Sequence, residues 1–420
     1  MKYLIALAAR SAWNRRATLS LVVFSTALSV TLLLGVERLR NDVRESFAQS
    51  VSGTDLVVGA RGSPLQLMLY TVFHMGEATN NMDWSSVRKL TAHPAVDWVI
   101  PLSLGDSHHG YPVLATDQAY FDHFRYGDRQ TLRLAQGRRF SAIFDAVLGA
   151  EVAEHLGYRL GERITLAHGS GELKLNEHAD KPFTVVGILA RTGTPVDRTV
   201  HIGLAAMEAI HLDWQGGAPI PGMSIPEQYV SRFDLTPKNV TGVLLGLKSR
   251  AAVFAMQRYV GNFRDEPLMA VLPGVALAQL WQLLSVGEQA LLAVSALVVA
   301  VGLAGLVAVV LAGLSERRRE LAILRSVGAG PRHVLALLTL EGLALTLTGS
   351  ALGLILLTGL TLGLAPWLES RYGLYIHAGN LSAEEIKLLA WVIGVGCLAS
   401  LLPGLRAYRL SLAVGLTPRV

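Results

Sequence analysis

The sequence predicts an α-helical membrane protein with four transmembrane helices and a large mixed α/β domain inserted between the first two. Of the 420 residues, 51% are hydrophobic and only 16% are charged. The mean hydropathy is +0.40, which is too apolar for an ordinary soluble protein of this length. The apolar residues are concentrated in four runs, and residues 37–288 between the first and second runs have a more ordinary composition.

Each apolar run is long enough to form a transmembrane helix. At about 1.5 Å per residue, 18 or more residues cross a hydrocarbon core of roughly 30 Å. We therefore predict the first helix within residues 1–36 after a short tail, and the others at 289–314, 334–366 and 388–405. The run that precedes Glu37 exceeds the length of a signal-peptide core and has no small-x-small cleavage site, so we expect an uncleaved anchor.

Basic residues beside the predicted spans set the orientation. They precede the first span, crowd residues 315–333 and continue in the tail 406–420, whereas the loop 367–387 carries only Arg371 and Lys387. By the positive-inside rule, both termini and residues 315–333 are cytoplasmic. Twelve of the 37 Lys and Arg residues lie in these segments, so the net charge of +5 reflects topology and does not indicate nucleic-acid binding.

The inserted segment alternates short apolar runs with glycine-bounded turns, which is typical of a mixed α/β domain. We expect stalk helices at 37–49 and from 275 onward, and a second lobe at about 142–217 inserted in the first. The only cysteine, Cys397, lies in the fourth span, so the domain is expected to fold without disulfides. Strands are predicted at 53–60, 147–149, 164–166, 183–189, 200–202, 240–247 and 269–272, helices at 151–156 and 250–263, a hairpin tip at 169–182, and a crossing at 216–226.

Residues 64–75 are unusually apolar for a segment outside the membrane. They suit packing in the domain core, contact with the outer leaflet, or a surface for cargo or a partner, and core packing is the preferred interpretation. The side chains considered for a cargo or partner surface are Leu65, Leu67, Met68, Leu69, Tyr70 and Phe73.

A short charged helix is predicted between the second and third spans. Ser315 is a good N-cap, Glu316 and Glu320 suit the first turns, and residues 328–331 stop the helix. An anionic lipid surface alone would repel the two glutamates, so docking on a protein is favoured over resting on lipid. The residues predicted to dock are Glu316, Arg317, Arg319, Glu320, Leu321, Ile323, Leu324, Arg325, Val327 and Gly328.

These features together resemble the MacB/FtsX/LolC-type permeases of ABC transporters. In that family the cytoplasmic segment follows a pattern E-R-x-x-E-[IL]-x-[IL]-x-[RK]-[AS]-[LIV]-G-A, which residues 316–329 match. Residues 147–153 and 183–189 also resemble the family's periplasmic domain. The tail at 411–416 departs from the family's D-P-x-E-A-[LI] pattern.

The resemblance implies a non-catalytic subunit of the bacterial inner membrane whose charged helix couples to a cytoplasmic ABC ATPase. No Walker-type phosphate loop occurs in the chain, so ATP and Mg would be bound by the partner and no cofactor by this subunit. Two ATPase copies are expected, with the permease as a homodimer or paired with a related permease. ATP hydrolysis would move the periplasmic domain, which is called mechanotransmission.

Three functions remain open at this point. The first is movement of lipoprotein, lipid or amphipathic cargo, with a periplasmic adaptor or lipoprotein as a further partner. The second is FtsX-like signalling that activates a periplasmic enzyme. The third is a metal-linked, zinc-related transport system, which the histidine-rich domain favours weakly.

Two kinds of ionisable residue need separate mention. Glu341 lies near the start of the third span, where a carboxylate has either a partner or functional role within the membrane or a position near water and the ATPase. The domain histidines show no His-x-x-x-His spacing, so surface histidines are the preferred interpretation and no metal or catalytic site is assigned. His108 and His109 are expected to point to opposite sides; the others considered are His74, His123, His168 and His178.

Overall fold

A computed structural model describes residues 15–48, 50–76, 78, 80–169, 178–215, 218–220, 225–316, 329–372 and 381–409. These residues fall into two compact units. The membrane unit contains the chain up to Asp42, Ser285–Ser370 and the chain from Ile376, and the domain unit contains Val43–Leu284. Residues 170–177 of the predicted hairpin tip, most of the predicted charged helix and residues 410–420 of the C-terminal tail lie outside the described residues.

Four long helices carry the predicted spans. They are α1 (Arg16–Ala48), α9 (Pro273–Glu316), α10 (Pro331–Tyr372) and α11 (Ala383–Arg409). Each includes a stretch long and apolar enough to cross a membrane, at Arg16–Asp42, Ser285–Gly313, Pro331–Leu368 and Ala383–Arg406. Both predicted stalk helices are present as uninterrupted extensions of α1 and α9.

Small residues bring the membrane helices close together. A Cβ on Gly353 of α10 would lie 2.8 Å from the carbonyl oxygen of Ala27 in α1, and one on Gly302 of α9 would lie 2.8 Å from Ser29 Oγ. In addition, Thr31 Oγ1 donates to the Gly353 carbonyl at 3.0 Å. Close backbone approach at small residues is the usual way for helices to pack in lipid, where apolar burial gives little driving force.

The domain unit is built on one mixed sheet of eleven strands. Its main path runs β17-β1-β16-β3-β4-β12-β8-β11-β7, while β10 pairs with β3 and β9 pairs with β11. The pairs β4–β12 and β8–β11 are parallel and the others are antiparallel. The strands are β1 (Leu56–Ala60), β3 (Val96–His108), β4 (Tyr111–Thr116), β7 (Leu134–Gly137), β8 (Asp145–Leu148), β9 (Arg163–Ile164), β10 (Ala167–His168), β11 (Phe183–Leu189), β12 (Val200–Gly203), β16 (Gly242–Leu247) and β17 (Leu268–Val271).

Shorter elements complete the domain unit. Three two-stranded ribbons pair β2 with β15, β5 with β6 and β13 with β14. Their strands are β2 (Met82–Asp83), β5 (Arg125–Tyr126), β6 (Gln130–Thr131), β13 (Trp214–Gln215), β14 (Ala218–Pro219) and β15 (Asn239–Val240). The helices are α2 (Pro64–Thr71), α3 (Trp84–Thr91), α4 (Gln118–His123), α5 (Ala150–Leu156), α6 (Leu204–Ile210), α7 (Glu227–Val230) and α8 (Val253–Gly261), with single 3₁₀ turns at Pro195–Arg198 and Arg250–Ala252.

Two hydrophobic cores cover the two faces of the sheet. Along β1, Leu56 and Val58 belong to one core and Val57 to the other, and β8 alternates in the same way. Because successive side chains of a strand point to opposite faces, a strand buried on both sides is apolar throughout. This explains why the strands appear in the sequence as short continuous apolar runs.

The long strand β3 joins two groups of strands. Its first half pairs with β16, which leads to β1 and β17, and its second half pairs with β4 and β10. The two predicted lobes therefore share one strand and one sheet. The second group already includes β4 at Tyr111–Thr116, upstream of the boundary expected near residue 142.

Candidate functional sites

The predicted ATPase-coupling residues lie mostly outside the described part of the chain. The prediction that Ser315 caps the start of a separate helix is wrong, because Ser315 and Glu316 are the last residues of α9. The predicted stop at 328–331 stays a prediction, and α10 begins at Pro331. The coupling role therefore stays a prediction for Arg317, Arg319, Glu320, Leu321, Ile323, Leu324, Arg325, Val327 and Gly328, which are not described.

Glu341 has a partner within the membrane unit. Arg15 Nη2 donates to Glu341 Oε1 at 2.9 Å, which ties the start of α1 to α10. Gly313 of α9 leaves room for this arginine, since a Cβ there would collide with the Arg15 guanidinium. Both side chains are partly buried, and an ionisable group within a span usually has a partner, so the pair accounts for a carboxylate in this position.

A second ion pair joins α1 to α11. Arg38 Nε donates to Glu385 Oε1 at 2.8 Å, and both side chains are buried. Glu385 also closes a capping box with Ser382, since Ser382 N donates to Glu385 Oε2 at 2.7 Å and Glu385 N donates to Ser382 Oγ at 3.1 Å. This pair was not predicted, although the S-x-x-E pattern at 382–385 could have revealed its cap.

The apolar segment at 64–75 forms α2 and the turn that follows. Leu67, Met68 and Phe73 are buried in a core of the domain unit, as the core-packing interpretation expects. Leu65, Leu69 and Tyr70 are half-buried. Burial argues against Leu67 and Met68 as part of the cargo or partner surface, which stays a prediction for Leu65, Leu69, Tyr70 and Phe73.

A cleft of about 470 Å³ lies beside this segment. Phe73, Met75 and Pro195 give it apolar walls, and Glu151 and Arg198, which form an ion pair at 3.2 Å, give it a charged side. The cleft therefore offers an apolar surface next to a charged one, which suits an amphipathic molecule.

Several histidines expected at the surface are in fact buried. His74, His108, His178 and His201 are each at most 5% exposed. The ring nitrogens of His108 are both engaged, Nδ1 with Thr165 O at 2.6 Å and Nε2 with Tyr158 Oη at 3.0 Å. His108 is therefore a structural residue of the core.

The expectation that His108 and His109 point apart is also wrong. Their rings meet edge to face at a centroid distance of 4.5 Å. His109 has a φ of +48° in the turn between β3 and β4, so the alternation of an extended strand has already ended there.

Three other histidines meet one carboxylate at the edge of the second group of strands. Asp106 of β3 lies opposite His168 of β10 in the sheet register. His211 follows the last residue of α6, and His178 precedes β11. One ligand atom from each of these four residues lies within 4.8 Å of the other three.

The contacts within this group, here called the Asp106 cluster, are short. His168 Nδ1 lies 3.1 Å from both Asp106 Oδ1 and His211 Nε2. His211 Nε2 lies 3.6 Å from Asp106 Oδ1, and His178 Nε2 lies 3.9 Å from Asp106 Oδ2. The carboxylate is therefore surrounded by imidazole nitrogens.

Electrostatics keep the carboxylate charged and one imidazole neutral. Burial opposes ionisation of Asp106, but hydrogen bonds and charge from His168, His211 and His178 lower its pKa to about 2. Burial lowers the pKa of His178 to about 4, against the charge of Asp106. At neutral pH the Asp106 cluster thus contains a carboxylate beside an imidazole with a free lone pair.

Parts of this cluster are unsatisfied. Among the described residues, Asp106 Oδ2 and both ring nitrogens of the fully buried His178 have no hydrogen-bond partner. Leaving a buried polar atom unpaired costs about 1–3 kcal/mol, so such groups are rare and require an explanation.

Neighbouring residues fix the cluster in place. Lys181, fully buried, donates from Nζ to Asp213 Oδ1 at 2.6 Å. This bond ties the turn that carries His178 to the segment that carries His211. The Trp214 ring packs on the His178 ring at a centroid distance of 4.2 Å.

Of the four residues, only His168 and His178 are candidates from the sequence alone, and Asp106 and His211 are not. Asp106 is one of many acidic residues, and nothing local distinguishes it. Asp106 and His168 meet through the pairing of β3 with β10, and His211 lies 105 residues from Asp106, so no short motif encodes the cluster.

Comparison with known proteins identifies the family. The MacB-like periplasmic core domain family matches residues 17–260, and the FtsX-like permease C-terminal family matches residues 292–412. Comparison with curated proteins gives no match. The chain belongs to the MacB/FtsX-type family of ABC transporter permeases.

Two solved structures are similar to parts of this chain. The periplasmic region of MacB from Actinobacillus actinomycetemcomitans is 11% identical, with a TM-score of 0.33 over 55% of this chain and 94% of that one. The extracellular domain of the ABC-type transporter YknZ from Gram-positive bacteria is 11% identical, with a TM-score of 0.29 over 52% of this chain and 98% of that one. The predicted class is confirmed: four transmembrane helices with a periplasmic α/β domain inserted between the first two.

Proposed function

We propose that this chain is the non-catalytic membrane subunit of an ABC system of the bacterial inner membrane, with both termini in the cytoplasm. It receives the work of ATP binding and hydrolysis from a separate ATPase and passes it to its periplasmic domain as movement. The family match supports an ABC transporter permease. The observation that best supports the proposed mechanism is that α9 is one uninterrupted helix.

Helix α9 connects the parts that such a mechanism must couple. Near its start, Ala276 and Leu277 are buried in a core of the periplasmic domain. Further along, Leu303 and Leu306 are buried among the membrane helices, and the helix ends at Glu316, the first predicted coupling residue. An uninterrupted hydrogen-bonded helix of 44 residues is stiff enough to carry a displacement from one end to the other.

Two ion pairs brace α1 within the membrane unit. Arg15 binds Glu341 of α10, and Arg38 binds Glu385 of α11. The two arginines are 23 residues apart, which corresponds to about 35 Å of helix and thus to the thickness of the membrane. Bracing at both ends supports movement of α1, α10 and α11 as a group.

Polar groups in the spans do not suggest a path for a hydrophilic solute. Within the described spans, the hydroxyls of Thr346, Thr361 and Ser400 bond to carbonyls of their own helices. Arg15 is paired with Glu341 near one end of α1, and Arg38 with Glu385 near the other. This pattern supports work on cargo at the periplasmic side.

The cleft beside α2 supports an amphipathic cargo. Phe73 and Met75 line its apolar wall, and the ion pair of Glu151 and Arg198 lines the other side. We therefore propose that the subunit acts on lipoprotein, lipid or another amphipathic molecule, as a homodimer or with a related permease, and with two ATPase copies.

The partnership with the ATPase is tested through Leu324. Leu324→Asp places a charge on the apolar side of the predicted coupling helix, whereas Leu324→Met keeps its size and polarity. Both variants are purified from native membranes, and the ATPase that co-purifies and its rate of hydrolysis are measured. We expect Leu324→Asp to lose the ATPase and Leu324→Met to retain it; equal retention would contradict the proposed docking.

A further inference from the structure

Three ligand atoms of the Asp106 cluster, from Asp106, His168 and His211, have the spacing of a tetrahedral metal site. In such a site, ligand bonds of about 2.0–2.1 Å place the ligand atoms about 3.3 Å from one another. The observed separations are 3.1 Å for His168 to Asp106, 3.1 Å for His168 to His211, and 3.6 Å for His211 to Asp106. His178 lies slightly farther out, 3.9 Å from the second carboxylate oxygen.

The His211 ring is oriented so that one of its two nitrogens can bind a metal ion. Its Nδ1 donates to the carbonyl oxygen of Met207 at 2.8 Å, so the lone pair of the neutral ring is on Nε2, which faces the cluster. A backbone carbonyl that holds the outer nitrogen is the usual support of a metal-binding imidazole.

His178 gives an independent indication of a missing ligand. Its side chain is fully buried, its Nε2 is directed toward Asp106, and neither ring nitrogen has a hydrogen-bond partner among the described residues. Asp106 Oδ2, which faces it, also lacks one within that part of the chain. A cation bound between the two would satisfy both atoms at once.

We infer that Asp106, His168, His178 and His211 bind one zinc ion in the periplasmic domain. Three imidazole nitrogens with one carboxylate oxygen in tetrahedral arrangement suit Zn²⁺, whereas Ca²⁺ and Mg²⁺ require more oxygen ligands. The inference is independent of the proposed coupling to an ATPase, because it concerns residues of the domain alone.

The site is open enough for the ion to exchange. The side chains of His168 and His211 are 33% and 26% exposed, whereas those of Asp106 and His178 are fully buried. The ion would thus enter past His168 and His211 and then reach Asp106 and His178. Binding would join β3, β10, α6 and the turn before β11 at one point.

The direct test is metal binding by the full chain, purified in detergent with a histidine-free affinity tag and stripped with a chelator. Zinc content after dialysis is measured by elemental analysis, and affinity by competition with a chromophoric chelator. Cobalt is added in a parallel sample, because four-coordinate Co²⁺ absorbs visible light strongly and six-coordinate Co²⁺ weakly. We expect one zinc per chain and a four-coordinate cobalt spectrum.

Variants distinguish this cluster from adventitious binding. His178→Ala and His168→Ala each remove one ligand, and we expect about 100-fold or greater loss of zinc affinity from either. His168 is partly exposed, so His168→Ala should fold even if His178→Ala does not. His123→Ala, at a half-buried histidine stacked on Trp98 outside the cluster, is the matched control and should bind as the parent does.

The midpoint of thermal unfolding gives a second measure of zinc binding. Zinc should raise the midpoint of the parent and of His123→Ala, and should leave that of His168→Ala unchanged, because a ligand that binds only the folded state stabilises it. Absence of stoichiometric zinc in the parent, or affinity that survives His168→Ala, would overturn the inference and leave a hydrogen-bonded histidine cluster only.

Discussion

Glu385 uses its two carboxylate oxygens for two different tasks. Oε1 accepts a hydrogen bond from Arg38 Nε at 2.8 Å, and Oε2 accepts one from the backbone N–H of Ser382 at 2.7 Å. A single buried side chain therefore both starts α11 and joins it to α1. The membrane unit depends on this residue more than its position at a helix end would suggest.

The first prediction concerns this pair. Glu385→Ala leaves Arg38 buried without its partner and removes half of the capping box, so we expect a loss of about 3–5 kcal/mol of unfolding free energy. Glu384→Ala is the control on the same helix, because its pair with Lys387 is exposed and should contribute less than about 1 kcal/mol. Denaturant unfolding of both variants in detergent measures the difference, and equal losses would refute the role of the buried pair.

The second prediction concerns the close contact of α1 with α10. Gly353→Ala places a methyl group 2.8 Å from the Ala27 carbonyl oxygen, so the two helices must separate and stability should fall by about 1–3 kcal/mol. Gly359→Ala in the same helix meets nothing within 4 Å, and it should be neutral or slightly stabilising. If both alanine variants unfold at the same denaturant concentration, close packing at Gly353 is not important.

The third prediction concerns pH. Burial lowers the pKa of His74 to about 3, with a smaller contribution from the charge of His201, and burial lowers the pKa of His201 to about 4. Both rings are therefore neutral in the folded protein at pH values where unfolded histidine, with a pKa near 6.5, takes up a proton. Their contribution to stability is complete above about pH 6.5 and is lost as the pH falls toward 4.

At about pH 5, unfolding should therefore require clearly less denaturant than at about pH 7.5. His211 has the opposite sign: burial lowers its pKa, but the hydrogen bond and charge of Asp106 raise it overall, so its contribution is lost as the pH rises. His201→Leu should reduce the dependence on pH, while His123→Leu should leave it unchanged. A denaturation midpoint that is constant or higher at about pH 5 would show that the buried neutral histidines do not control stability.

The fourth prediction concerns the buried Lys181. Lys181→Met removes the charge from the pair with Asp213 and leaves that carboxylate buried, so we expect a loss of about 3–5 kcal/mol. Lys89→Met, at the exposed pair with Asp265, is the control and should change stability by less than about 1 kcal/mol. Tryptophan fluorescence during denaturation reports the result, and Trp214 beside the site is a suitable probe. An unchanged free energy of unfolding in Lys181→Met would show that the pair with Asp213 does not stabilise the turn that carries His178.

Local patterns in the sequence were sufficient for the spans and for seven of the eleven strands of the main sheet, but they did not predict β3 or β4. Each span is a long apolar run, and β11 and β16 are short apolar runs between turn residues, so the physical signal lies within the segment itself. The capping box at 382–385 is equally local, because Ser382 and Glu385 form an S-x-x-E pattern in the sequence.

Pairings between distant residues could not be obtained in this way. The sequence predicts that Glu341 has either a partner or contact with water. It does not identify Arg15 as that partner, because Arg15 lies 326 residues away and no local pattern distinguishes it from other arginines. Asp106 and His211 meet only because β3, β10 and α6 converge. The burial of His74, His178 and His201 likewise follows from tertiary structure.

The proposed function requires α9 to carry movement from the cytoplasmic side to the periplasmic domain. Val286 and Gln289 are exposed on this helix, on either side of Gly287 and Glu288. The double variant Val286→Gly with Gln289→Gly weakens the helix there by about 1 kcal/mol per glycine, whereas the same two positions changed to Ala keep it helical. The two variants thus differ in stiffness and in little else.

The decisive measurement is hydrogen exchange of the periplasmic domain in the permease purified with its ATPase, with and without ATP and vanadate. We expect nucleotide to change the hydrogen exchange of residues 268–284 in the parent and in the alanine variant. We expect this response to be lost in the glycine variant while the ATPase remains bound. An identical response in the glycine and alanine variants would contradict transmission through α9.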